Sequence, residues 1–416
     1  MKASAGKRVL IIVQNLPVPL DRRVWLEATT LRQEGYRVSV ISPRERGEPT
    51  HTVLEGVALY RYWVPAGAHG VVSYFLEFLY CWLATAVLSV AVALKEGFDV
   101  IHACNPPDTY FALAALYKLG GKRFVFDHHD LSPEMFRAKF PQGHGVLHKI
   151  LLLLERMTFR TADVVLATNE SHKEIAMVRG RVPEGNVYVV RSGPDFARLR
   201  LMPAEPALKE GRRYLVAYLG EMCPQDGVDY LLRAAHLLRM EMGMSDVLFV
   251  IMGGGPALPA LRTLAKSLEL DGMVRFTGRV SDLDLCRYLS TADLCVDPDP
   301  KTEWSDRSTM NKILEYMAFG KPIVAFDLKE HRRSAGDAAV YARANDERDF
   351  ALKVRSLLLN RKLRERMGRI GYRRVVERLS WEHSSPNLLR AYRHVFAGMH
   401  PPADAKEGDR GFSRSK

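Results

Sequence analysis

The sequence predicts an α/β protein of two doubly wound domains joined by a polar linker. Three observations carry that expectation. Short continuous apolar runs recur, as buried parallel strands require; helical periodicity fills the gaps between them; and the rhythm restarts halfway along the chain. The first run covers residues 9–13, and after it Val24, Trp25, Ala28 and Leu31 repeat at helical spacing up to Gly35, where a helix should end. Further strands are expected at 37–42, 57–62, 100–103, 124–126, 164–167 and 187–190. The second series lies at 215–219, 247–252, 274–277, 294–296 and 323–326. Ser192-Gly193-Pro194-Asp195 and the polar stretch to Arg213 separate the two series. The predicted division is therefore 1–198 and 199–380. A helix at 381–398 follows, with Leu388, Leu389, Tyr392 and Phe396 on one face, crossing back to the first domain. The polar residues 399–416 are expected to be disordered.

Composition narrows the class. The 416 residues are 47% hydrophobic and 26% charged, the balance of a soluble globular chain. A net charge of +12 favours acidic partners, whether phosphorylated ligands or an anionic membrane. No aromatic–basic motif accompanies that charge, so nucleic acid is not the expected partner. The five cysteines are scattered without a CxxC pair, which reads as reduced thiols in the cytoplasm. The first apolar run is too short for the core of a signal peptide and is read as a strand.

The strongest local signal runs from Ser308 to Val324. Ser308 or Thr309 suits an N-cap, Gly320 suits a C′ position, and Pro322 opens the next strand. Such a helix start, with Met310, Asn311 and Lys312 in its first turn, turns free N–H groups and a positive dipole end toward a diphosphate. Glu315, further along, would accept hydrogen bonds from two vicinal hydroxyls of a ribose. An ordinary capped αβ unit has the same spacing.

The segment Leu314-Glu315-Tyr316-Met317-Ala318-Phe319-Gly320-Lys321-Pro322-Ile323-Val324 resembles the donor-binding helix of the GT-B glycosyltransferases, in particular the retaining family 4 group. Asp127-His128-His129-Asp130, Gly253-Gly254-Gly255-Pro256, Phe276-Thr277-Gly278-Arg279-Val280 and Ser380-Trp381-Glu382 match that family in order. The resemblance implies two Rossmann-like domains with an interdomain cleft, and a retaining transfer of sugar from a nucleotide diphosphate. It gives Glu315 the ribose and places His129, with Asp130 beside it, at the reacting centre; His128 is the alternative, as is a structural histidine pair. Gly220, Gly254, Arg279 and Val280 fall on the donor side. No metal or other cofactor is implied, and Asp297-Pro298-Asp299 is not read as a metal motif. The implied setting is assembly of surface polysaccharide or lipopolysaccharide on a lipid-linked or other glycan acceptor, at the cytoplasmic face of the membrane.

Two departures stand out. The family's first Glu, eight residues before Glu315, is Arg307 here, and Asp306, one residue earlier, is read either as its substitute or as a salt-bridged surface acid. The Arg and Lys that follow the first strand of the second domain are replaced by Gly220-Glu221-Met222-Cys223-Pro224-Gln225-Asp226. Lys312 and Arg307 are then the candidates to meet the diphosphate. A nucleotide-sugar 2-epimerase of the same build, or an inactive partner subunit that binds nucleotide, are the alternative functions. Asp21-Arg22-Arg23 opens the first helix; its arginines are read either as contacts to an acidic acceptor or as a solvated basic helix start. Residues 78–94 carry no charge but include Tyr80 and Trp82. They are read as a buried helix, as a helix lying on an anionic membrane surface, or as a span, for which they are slightly short.

Overall fold

The computed structural model describes residues 6–64, 71–140 and 145–398, so the tail expected at 399–416 lies outside the described residues. The chain divides into two compact units. The first comprises Met1–Ser132, Lys149–Val190 and Ser385–Lys416; the second comprises Pro133–His148 and Arg191–Ser384. The division thus falls at Val190, eight residues before the expected boundary, and the final helix changes unit at Ser385.

The first unit contains β1 (Arg8–Ile12), α1 (Arg22–Gln33), β2 (Arg37–Pro43), β3 (His51–Leu54), β4 (Val57–Tyr62), α2 (Val71–Lys95), β5 (Val100–Cys104), α3 (Phe111–Leu119) and β6 (Arg123–His128). After α4 (Ser132–Lys139) come α5 (Gly145–Thr161), β7 (Val164–Ala167), α6 (Glu170–Val178) and β8 (Val187–Val189). Its sheet has the order β3-β4-β2-β1-β5-β6-β7-β8. All neighbours are parallel except β3 and β4. The apolar runs become strands because both faces are covered. Leu10, Ile12, Ile101 and Phe126 pack with Cys81 and Val92 of α2, Leu113 of α3 and Phe159 of α5.

The second unit contains β9 (Tyr214–Leu219), α7 (Val228–Met240), β10 (Val247–Met252), α8 (Leu258–Ser267), β11 (Val274–Gly278), α9 (Asp282–Thr291) and β12 (Leu294–Asp297). It continues with α10 (Asn311–Ala318), β13 (Ile323–Phe326), α11 (Lys329–Ala335), β14 (Ala339–Ala342), α12 (Glu347–Leu359), α13 (Arg361–Arg374) and the start of α14 (Trp381–Ala397). Its six strands are all parallel, in the order β11-β10-β9-β12-β13-β14. Val216, Phe249 and Val324 face α7 and α12, whereas Ala217, Val250 and Ala325 face α9 and α10. From Ser385 onward α14 belongs to the first unit, where the rings of Tyr392 and Phe396 each lie 5.7 Å from that of Tyr36.

Strand order reverses beside β1 in the first sheet and beside β9 in the second. Ligands of open α/β sheets bind beyond the carboxyl ends of the strands at such points. In the second unit the loops after β9 and β10 lie backbone against backbone: at Gly253, with φ +133°, an added Cβ would sit 1.8 Å from the carbonyl oxygen of Gly220. Gly253→Ala is therefore expected to lower unfolding stability by about 2–4 kcal/mol, whereas Gly254→Ala, with open space around it, should stay within about 1 kcal/mol of wild type. Urea unfolding of the two variants checks this. Equal midpoints would contradict the close approach.

Candidate active site

In the first unit the site grows from the end of β6. Side chains alternate along a strand, so Asp127 and His129 share one side and His128 takes the other. His128 is fully buried, its ring centroid 5.1 Å from that of Phe159 and 5.0 Å from that of His172. Burial, reinforced by His172 and Arg179, pushes it well below the usual histidine range. It is a core residue, which removes it as the alternative to His129. His129 is partly exposed, and its Nε2 meets Asp127 Oδ2 at 2.5 Å. Asn105 fixes this turn. Its Oδ1 accepts the N–H groups of His129 and Asp130 at 2.6 and 3.1 Å, and its Nδ2 donates to the Asp130 carbonyl at 2.7 Å.

Asp127 is the hub. Its carboxylate is fully buried and takes two bonds from Arg23, Nε to Oδ2 at 3.1 Å and Nη2 to Oδ1 at 2.7 Å. His102 Nε2 lies 3.3 Å from the same carboxylate, and His102 Nδ1 lies 2.7 Å from the hydroxyl of Tyr392 on α14. Burial alone would raise the Asp127 carboxyl, but Arg23, His129 and His102 outweigh it and hold the group well below the usual range. Glu27, one turn along α1 from Arg23, behaves oppositely. Its burial drives it well above the usual carboxyl range although Arg23 Nη2 is 3.1 Å away.

This corrects the expectation for the start of α1. Arg23 is buried, with Nη1 donating to the Val190 carbonyl at 2.6 Å, and so is neither an acceptor contact nor a solvated charge. Asp21 is the N-cap of α1, accepting the Val24 N–H at 3.0 Å. Arg22 alone of the three lies exposed.

In the second unit the reversal point is the end of β9 and β12, beside the start of α10. That helix buries Ile313, Leu314, Tyr316, Met317 and Ala318, exposes Asn311, and keeps Lys312 and Glu315 largely covered. Neither Ser308 nor Thr309 caps it: Met310 occupies the N-cap position without a side-chain bond, and the Ser308 hydroxyl donates to the Trp304 carbonyl at 2.8 Å, closing the preceding turn. The first-turn N–H groups thus lack a side-chain cap. Gly320, with φ +62°, ends the helix as expected.

Lys312 extends across Gly220 to the β12 carboxylates, its Nζ 2.9 Å from Asp299 and 3.5 Å from Asp297 and 4.9 Å from the ring centroid of Tyr218. Its charge is shared with two buried acids instead of being held for a ligand alone. Burial and the neighbouring Asp297 drive Asp299 well above the usual carboxyl range. Asp297, Asp299 and His331 bring potential ligand atoms within 4.8 Å of one another, as do Glu27, Asp127 and His129 in the first unit. In each set a cation of the chain, Lys312 or Arg23, faces the carboxylates.

Two arginines that the sequence does not single out complete the second site. Arg198 pairs with Glu315 and, through Nη1, with Asp282 at 3.0 Å. Arg191 Nη1 lies 3.5 Å from the Thr309 hydroxyl. Arg307 lies 3.6 Å from Glu134. Asp306 accepts the Lys329 N–H at the start of α11 at 2.8 Å and pairs with Lys301 at 3.4 Å. Arg279 and Val280 line a cavity of about 530 Å³ with Phe276 and Tyr288, and the Gly254 carbonyl accepts the Met222 N–H at 2.8 Å.

Residues 20–198 match the family described as Glycosyltransferase Family 4, and residues 213–360 match Glycosyl transferases group 1. The chain is 28% identical over 389 residues to the phosphatidyl-myo-inositol mannosyltransferase of Mycobacterium leprae, covering 92% of this chain and 94% of that protein. Its fold matches sucrose-phosphate synthase from Thermosynechococcus elongatus with a TM-score of 0.75 at 17% identity, over 94% of this chain and 100% of that one. It matches Anabaena HepE in complex with UDP-glucose with a TM-score of 0.68 at 13% identity, over 93% and 99% of the two chains. These solved folds are GT-B structures, and the two parallel sheets of this chain are of that type.

Two outcomes follow from the first-unit cluster. Asp127→Ala should destabilise the fold by about 3–5 kcal/mol because it strands Arg23 in the interior. His129→Ala should leave stability within about 1 kcal/mol of wild type and strike turnover far more than nucleotide affinity. Chemical unfolding beside nucleotide titration separates them; a His129→Ala variant with wild-type turnover removes the assignment. For His128 the folded form resists the proton, so its contribution is present above about pH 6.5 and lost as pH falls. Against His128→Gln, wild type should lose stability below that pH at up to about 1.4 kcal/mol per pH unit. Parallel pH profiles would show that the histidine is not buried neutral.

Proposed function

Because the chain belongs to the family 4 glycosyltransferases of the GT-B fold, we propose that it moves a sugar from a nucleotide-diphosphate donor to an acceptor hydroxyl with retention of anomeric configuration. The observation that carries the reading is the start of α10. An uncapped helix start, Lys312 and Glu315 lie together where the order of the second sheet reverses.

The chemistry divides among these groups. N–H donors of the first turn and the dipole of α10 meet the developing charge of the leaving diphosphate, with Arg191 and Lys312 adding positive charge nearby. Fixed donors of this kind need no rearrangement as the charge appears. Glu315, steadied by Arg198, accepts hydrogen bonds from the ribose hydroxyls. His129, held through Nε2 by Asp127, acts at the sugar. The reading assigns no step to a metal ion. The complex of the structural relative HepE with UDP-glucose supports a nucleotide-sugar donor.

The acceptor we propose is a lipid-linked saccharide at the cytoplasmic face of a membrane, in assembly of a surface glycan or glycolipid. The sequence relative's name, a phosphatidyl-myo-inositol mannosyltransferase, supports an acceptor of that chemistry.

Glu315→Ala should weaken nucleotide-sugar binding by about 2–3 kcal/mol, the scale of hydrogen bonds to a charged group, in a protein whose unfolding midpoint stays near wild type. Calorimetric titration with a panel of nucleotide sugars reads this directly. Unchanged affinity for every donor that binds would remove Glu315 from the site.

A further inference from the structure

Helix α2 is only half a core helix. Cys81, Thr85, Ser89 and Val92 are buried toward the sheet, and the Tyr110 hydroxyl donates to Thr85 at 3.2 Å while Ser89 and Tyr117 hydroxyls meet at 3.0 Å. Yet Leu79, Leu83, Val87, Val90 and Leu94 are exposed, and only 22% of its most apolar window is buried. A helix fixed along one side to a sheet by these bonds lies against the protein and does not cross a bilayer alone.

The exposure continues onto its neighbours. Lys118 at the end of α3 donates to the Thr161 carbonyl at the end of α5 at 2.8 Å, so α2, α3 and α5 lie side by side on one face of the first sheet. On α3, Leu116 and Leu119 are exposed. On α5, Ile150, Leu153 and Met157 form an exposed stripe at spacings of three and four, although Thr158 and Phe159 already supply its sheet-facing side. A helix with apolar residues on both sides has a second apolar surface to cover.

Charge identifies what covers it. Lys149, Arg156 and Arg160 flank the α5 stripe, and Lys95 ends α2; all four are exposed, and no ion pair engages them among the described residues. Glu155, the acid of α5, is buried against Arg179. An apolar surface edged by unopposed cations matches the interface of an anionic bilayer, where apolar side chains enter and Lys and Arg meet the headgroups. We propose that the outer surface of α2, α3 and α5 together is a docking face for an anionic lipid bilayer, on which these helices lie flat. This stands apart from the transferase reading: it concerns where the first unit rests, whatever it transfers.

Flotation with phosphatidylglycerol-containing and pure phosphatidylcholine vesicles tests it on the full chain, with donor hydrolysis and unfolding midpoints measured in parallel. Wild type should float with the anionic vesicles only and be released by salt. The triple variant Lys149→Glu, Arg156→Glu, Arg160→Glu should lose roughly 100-fold in partitioning, and Ile150→Glu with Leu153→Glu should abolish flotation, both with midpoints and hydrolysis as in wild type. Recovery from both vesicle types alike, or from neither, overturns the proposal. So does binding that survives the α5 variants but not Val87→Glu, which would leave α2 as the sole contact. A concentration-dependent dimer dissolved by Ile150→Glu would assign the face to a second copy instead.

Discussion

The buried carboxylate of Asp127 is the constraint on which the first unit depends. An ionised acid inside a protein is tolerated only when paired and hydrogen-bonded. Here the pairing draws Arg23 inward from the start of α1, His102 from β5 and His129 from the turn after β6. Through His102 it also reaches Tyr392, so the last helix is tied to the same charge. The arrangement commits one ring nitrogen of His129 to Asp127. A histidine on a loop becomes a positioned group because a residue two places earlier cannot move.

The second unit solves a similar problem with the signs reversed. Lys312 is nearly buried and draws Asp297 and Asp299 around it, fixing the loop after β12 to the first turn of α10. Its charge is therefore partly spoken for. Arg191 and Arg198, from the segment that opens the second unit, bring positive charge to Thr309 and Glu315 around α10.

What was legible in the sequence follows the range of the interactions. Strands buried on both faces announce themselves as apolar runs, and every expected one is present. The two strands that the sequence does not announce are β3, an exposed edge strand of mixed character, and β14, whose Ala-Val-Tyr-Ala run is too weak to stand out. The α10 motif was legible because its chemistry is contiguous. Arg23 was misjudged because its partner is 104 residues away, and Arg198 was missed because Glu315 is 117 residues away. Ion pairs of that span leave no local pattern. The expected cap at Ser308 or Thr309 failed for a local reason: the turn at Ser305–Arg307 claims the Ser308 hydroxyl before the helix starts.

The most direct measurement is nuclear magnetic resonance of the wild-type protein incubated with each nucleotide sugar that binds it, following phosphorus for the nucleotide and the anomeric proton for the sugar. The account predicts release of a nucleoside diphosphate, with the sugar first appearing on water or acceptor in the anomeric configuration it had in the donor. A donor that stays intact, one converted to its epimer without release of diphosphate, or a product of inverted configuration would contradict it.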